Sequence, residues 1–173
     1  MANKFEQRKS PEGFTLVEIL LSLALIAIMS VAVASFVALL FGVKAKHQAI
    51  LEVEDQGLQA MQYINQRVRN ADDINAPNRG DNSSTLSLDV PDLSRPVVFG
   101  LAGDALYVQE GTAPQILLTS PRVEMSELNF QNLSVAGDSG IIRIEFTLSY
   151  RNMGNRGEYE YSQTFYGSSS LRP

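Results

Sequence analysis

No cysteine occurs anywhere in the 173 residues. Its absence excludes a disulfide framework, a thiolate nucleophile, a cysteine-ligated zinc site and a lipidated cysteine anchor. Histidine occurs once, at His47, so metal centres built on several imidazoles are excluded too. Lysine stops at Lys46, and a net charge of −5 with a pI near 4.9 leaves no global basic field for nucleic acid. The chain also lacks a Gly-x-Ser-x-Gly string and a phosphate-cradling glycine loop, so neither enzymatic activity nor a cofactor is expected.

Charge is missing from one whole stretch, residues 19–43, and the 14 basic and 19 acidic side chains crowd into the remainder. A uniformly mixed globular chain is thereby ruled out. Across residues 14–43 the single charge is Glu18. At about 1.5 Å per residue the uncharged part extends about 38 Å, more than the roughly 30 Å of a bilayer's hydrocarbon core, so the lipid bilayer is an expected partner. Ahead of it, Lys4, Arg8 and Lys9 outnumber Glu6 and Glu12, a basic lead-in that holds the N-terminus on the cytoplasmic side. Three readings compete: a signal peptide cut near Ala32, Val33 and Ala34, an uncleaved signal anchor, and a span processed at its cytoplasmic edge. The first fits poorly, because the run continues through residues 35–43 where a cleaved signal should turn polar.

The third reading rests on Gly13, Phe14, Thr15, Leu16, Val17 and Glu18 at the edge of the span. This string resembles the class III signal of type IV prepilins and type II secretion pseudopilins. The resemblance implies that a membrane-embedded prepilin peptidase cuts between Gly13 and Phe14 and methylates the new amino-terminus on Phe14. A glycine suits that position, since it lets a protease approach the backbone without a Cβ and interrupts the helix where leader meets span. Removing residues 1–13 takes three basic and two acidic side chains and leaves a formal charge of −6. The resemblance also implies assembly with other pilin or pseudopilin subunits through the N-terminal helix, on an inner-membrane assembly platform. Glu18 would meet the positively charged amine of Phe14 on a neighbouring subunit. The implied location is the bacterial cytoplasmic membrane, crossed once with the N-terminus inside, and then an extracytoplasmic pilus or pseudopilus.

Proline is absent from residue 14 to Ala76, so one helix can run from the membrane into water without a forced break, weakened only at Gly42 and Gly57. Beyond Lys44 the pattern turns amphipathic: Ile50, Val53, Gly57, Met61, Ile64, Val68 and Ala71 recur at steps of three and four. The helix is expected over residues 15–71, ending where turn residues gather at 72–77. Downstream, period-two runs separated by Gly, Asn and Ser predict strands at 85–90, 97–101, 105–109, 115–118, 127–130, 141–151 and 158–166. In the clearest of these, Ile142, Ile144, Phe146, Leu148 and Tyr150 share one face, opposite Arg143, Glu145, Thr147, Ser149 and Arg151. Tight turns are expected at 102–104 and 152–157.

The fold class read from these patterns is α+β: a long N-terminal helix, membrane-spanning and then amphipathic, packed on a C-terminal antiparallel sheet. Its segments are a leader at 1–13, a transmembrane and assembly helix at 14–43, a stalk helix at 44–76 and a sheet domain at 77–173. The stretch at 58–74 leading into short strands is similar to minor pilins and J-type pseudopilins. The lack of cysteine departs from major pilins with a disulfide-stapled C-terminal loop.

Candidate ligand groups are sparse. Asp81, Asn82, Asp104 and Asp138 lie in expected loops, but no Asp-x-Asp signature makes a calcium site of them, and no metal is expected. DNA is a partner of some minor pilins; here the arginines at 67, 69, 79, 95, 122, 143, 151, 156 and 172 are scattered among acids, which does not favour it. The expected function is a structural subunit of a pilus or pseudopilus. The alternative is a single-pass anchored extracytoplasmic binding domain that never polymerises.

Overall fold

The computed structural model describes residues 13–91, 96–135, 140–152 and 160–172. Two units make up the chain, dividing between Gly42 and Val43. One helix, α1 (Leu16–Arg69), supplies the first unit and opens the second.

In the first unit the apolar side chains of α1 are exposed all round, including Leu20, Ile28, Phe36 and Phe41. No packing inside the unit explains them, whereas lipid does. The hydroxyls of Ser22, Ser30 and Ser35 donate to the carbonyls of Glu18, Ile26 and Val31 at 2.8, 2.8 and 2.9 Å. Each is thus satisfied within the helix itself, as a medium without water demands.

In the second unit α1 buries one stripe: Ala49, Val53, Gly57, Ala60, Met61, Ile64 and Val68. The helix ends at Arg69, not near residue 76. The amide of Asp72 already bonds Asp89 O at 2.7 Å, and β1 (Asp73–Ala76) follows as a strand. A stalk helix reaching 76 is therefore corrected. Sheet pairing claims those backbone groups instead.

Where one sheet was expected, two form, with every pairing antiparallel. The five-stranded sheet runs β1, β3 (Leu86–Asp89), β4 (Val97–Ala102), β5 (Ala105–Glu110) and β6 (Ile116–Leu117). The four-stranded sheet runs β2 (Asn82–Ser83), β7 (Val123–Asn132), β8 (Ile141–Tyr150) and β9 (Ser162–Ser170). β1 and β2 were not foreseen, because they are short and polar and carry no alternation. β7 is much longer than 127–130, and its register shifts between Ser126 and Asn129, where Glu127 sits at φ 55°. β9 lies four residues later than expected at each end, since the β8 ladder pairs Ile141 with Ser170 and Ser149 with Ser162. Backbone hydrogen bonds, which need no apolar side chain, thus carry the serine run. The turn expected at 152–157 falls mostly outside the described residues.

The core lies between the helix stripe and the inner faces of both sheets, with Phe99, Phe130, Phe146, Ile64, Leu86 and Leu148 fully buried. β8 alternates as expected, with Ile142, Ile144, Phe146 and Leu148 inward and Arg143 exposed. Helix α1 and β9 run in the same direction: Gly57 faces Phe165, Met61 faces Gly167, and Asn65 O accepts from Ser169 Oγ at 3.4 Å. Polar ties anchor the other flank. Arg67 bonds Glu110 and the Tyr63 hydroxyl, both at 2.8 Å, while Tyr63 meets Phe99 edge-on. Glu52 and Gln56 hold Ser120 at 3.1 and 3.2 Å.

Candidate functional site

Gly13, Phe14 and Thr15 lie in non-helical backbone immediately before α1, and all three are exposed. Among the described residues nothing lies within 4 Å of where a Cβ on Gly13 would stand, which leaves the Gly13–Phe14 peptide bond open on their side. Lys4, Arg8 and Lys9 lie outside the described residues. Thr15 is the N-cap: its Oγ1 accepts from the amide of Glu18 at 3.3 Å, and its carbonyl accepts from the amides of Glu18 and Ile19. Thr-x-x-Glu at a helix start is the capping-box spacing, and the Glu18 carboxylate in the first turn complements the positive end of the helix dipole. Sequence reasoning singled out Glu18 but missed Thr15. The Thr-x-x-Glu spacing before the apolar run was a signal that could have found it.

The remaining sequence candidates disperse. His47 is exposed on α1. Asp104 accepts from Arg151 at 3.2 Å, and the same guanidinium reaches Glu124 at 3.1 Å, which ties the β4–β5 turn to the four-stranded sheet. Asp81 accepts from Asn78, and Asp138 lies outside the described residues. Asn132 is buried, with Nδ2 donating to Pro77 O at 2.8 Å. Among the arginines, Arg67, Arg122 and Arg151 are ion-paired with Glu110, Glu52 and the Asp104–Glu124 pair. Arg95 and Arg156 lie outside the described residues. Arg69 and Arg172 share one cleft, and Arg79 joins Arg172 in the next.

An exposed glycine and phenylalanine, a capped helix start with an acidic first turn, and an unbroken apolar helix behind them form one contiguous segment. Residues 8–34 match the family model described as the prokaryotic N-terminal methylation motif. That motif is the class III signal of type IV prepilins and pseudopilins, and the helix followed by antiparallel sheets is a pilin-like α+β arrangement. The motif supports a type IV pilin- or pseudopilin-like precursor, and together with the apolar helix it fits a membrane-anchored protein. Proteins with this motif are structural and generally assemble with other pilins after prepilin peptidase action. No curated protein and no solved structure matches the chain.

Proposed function

We propose that this protein is a minor type IV pilin or type II secretion pseudopilin: a structural subunit that enters a pilus or pseudopilus fibre, or its tip complex. The observation that carries the proposal is the methylation motif at 8–34, set at the start of a helix that continues into the globular unit. Prepilin peptidase cuts between Gly13 and Phe14 and methylates Phe14, and residues 14–43 then remain in the cytoplasmic membrane with the N-terminus inside. Exposure of Gly13 and the non-helical backbone around it support cleavage there. Assembly proceeds from the inner-membrane platform through the helix, with Glu18 paired to the Phe14 amine of a neighbouring subunit. An unpaired carboxylate carried into the bilayer would cost about 2.5–3.5 kcal/mol, so the charge calls for a partner.

Intact-mass measurement of the membrane-extracted protein tests the processing step. Loss of residues 1–13 with one added methyl on Phe14 is expected, and Gly13→Ile should retain the leader while still inserting. A full-length wild-type protein would identify an ordinary anchored domain. Glu18 is tested by two substitutions, because its place in the Thr-x-x-Glu spacing can be kept while its charge is removed. Gln at 18 preserves the capping-box spacing, whereas Val removes both spacing and charge. Both variants should be processed, inserted and excluded from fibres. Fibre incorporation of Glu18→Gln at the wild-type level would remove the charge of Glu18 from the assembly step.

A further inference from the structure

A cleft of about 610 Å³ opens where the C-terminal end of α1 meets the last residues of β9. Arg69 and Asn70 line it from the helix, Ser168, Ser170 and Arg172 from the strand and its continuation, and Ile141 from β8. Among the described residues no carboxylate side chain lines it. Both arginines are exposed, and neither takes part in an ion pair or hydrogen bond among the described residues. In a chain of net charge −5, where Arg67, Arg122 and Arg151 all have carboxylate partners, two free guanidinium groups facing one cleft are a local reversal of sign.

We propose that this cleft binds a compact phosphate-type oxyanion, as inorganic phosphate or the terminal group of a small phosphomonoester. The guanidinium groups of Arg69 and Arg172 and the amide of Asn70 line it, more donors than a two-oxygen carboxylate can use but matched to the acceptor oxygens of phosphate. A compact anion fits better than a polyanion. On the far side of Arg172 the adjoining cleft carries Asp72 and Asp73 beside Arg79, and these carboxylates interrupt the positive potential. The negative end of α1 opposes an anion at this place, and Arg69 in the last turn offsets it. This site is independent of the processing and assembly proposed above.

The test is calorimetric titration of the detergent-solubilised full chain with inorganic phosphate and with glycerol phosphate. Arg69→Gln, Arg172→Gln and a control, Arg122→Gln, are measured beside the wild type. Binding should weaken about tenfold or more in either cleft variant and stay unchanged in the control, as expected for loss of a charge-assisted hydrogen-bonding group. Thermal unfolding of each variant separates folding from binding. No binding by wild type, or unchanged binding with only a lowered melting temperature in Arg69→Gln, would overturn the proposal and leave Arg69 as a complement to the helix dipole. A single-stranded oligonucleotide that binds far more tightly than phosphate, with a steep salt dependence, would overturn the compact-anion reading in favour of a polyanion track.

Discussion

The ring of Phe165 occupies the space that a side chain on Gly57 would fill. A Cβ built there would overlap the ring atoms Cζ, Cε1 and Cε2. The same ring stacks on Phe146, with centroids 5.3 Å apart. Two turns of helix are therefore seated on β9 by the smallest residue on one side and one of the largest on the other, and Met61 against Gly167 repeats the device with the sizes exchanged.

Alanine at Gly57 should destabilise the protein by about 1–3 kcal/mol through overpacking, although the intrinsic helix propensity gained is about 1 kcal/mol in the opposite direction. Phe165→Ala should cost about 3–5 kcal/mol, and the double variant should lose less than the sum of the two. Chemical unfolding of the four proteins measures the coupling. A Gly57→Ala protein more stable than wild type would mean the ring moves aside freely.

Deleting residues 1–43 should leave a soluble monomer, because the stalk stripe is buried within its own unit: Val53, Ile64 and Val68 have no exposed surface. Light scattering and circular dichroism of residues 44–173 check this. Ile64→Asp in the same fragment should abolish folding, since it places an unpaired carboxylate in the core. An aggregated fragment would show that the fold requires the segment removed.

Glu127 occupies left-handed backbone at φ 55° within the β7 irregularity. Such a conformation costs a non-glycine residue about 1–2 kcal/mol, and its bond from Thr147 Oγ1, at 3.2 Å and exposed, offsets little of that. Glu127→Gly should therefore raise the midpoint of denaturation, by about 0.5–1 kcal/mol once the greater freedom of glycine in the unfolded chain is counted. Loss of stability would assign the carboxylate a larger role.

Tyr161 holds its proton more tightly than an ordinary phenol, first through burial and then through the charge and hydrogen bonding of Glu54. The stabilisation that goes with a raised folded-state pKa is fully present below the ordinary phenol value of about 10 and is lost as pH climbs through the raised one. Stability should accordingly fall with pH above about 10 more steeply in wild type than in Tyr161→Phe. The difference between their phenolate absorbance titrations should show a group titrating above the normal range. A normal titration would remove the Glu54 contact from the account.

By itself, the sequence determined whatever depends on composition along one element. Thirty positions from 14 to 43 with one charge specify a helix apolar on every side and long enough to cross a bilayer, and the three-and-four spacing from Val53 to Val68 marks the face that is buried. The alternation of β8 marks its inner side, and the string from Gly13 to Glu18 marks the signal at the helix start. Tertiary structure decided whatever depends on backbone pairing and on distant neighbours. β1 and β2 exist because partner strands take up their amides and carbonyls, and β9 is positioned by the β8 ladder through serines with no apolar pattern. Gly57, which sequence counts only as a weak point in the helix, is required by a ring 108 positions later. Which arginines remain free is likewise a fact of the fold, because Arg67 finds Glu110 across 43 residues while Arg69, two positions on, faces the β9 cleft. Two positions along a helix rotate a side chain by about 200°, and only packing determines what each one meets.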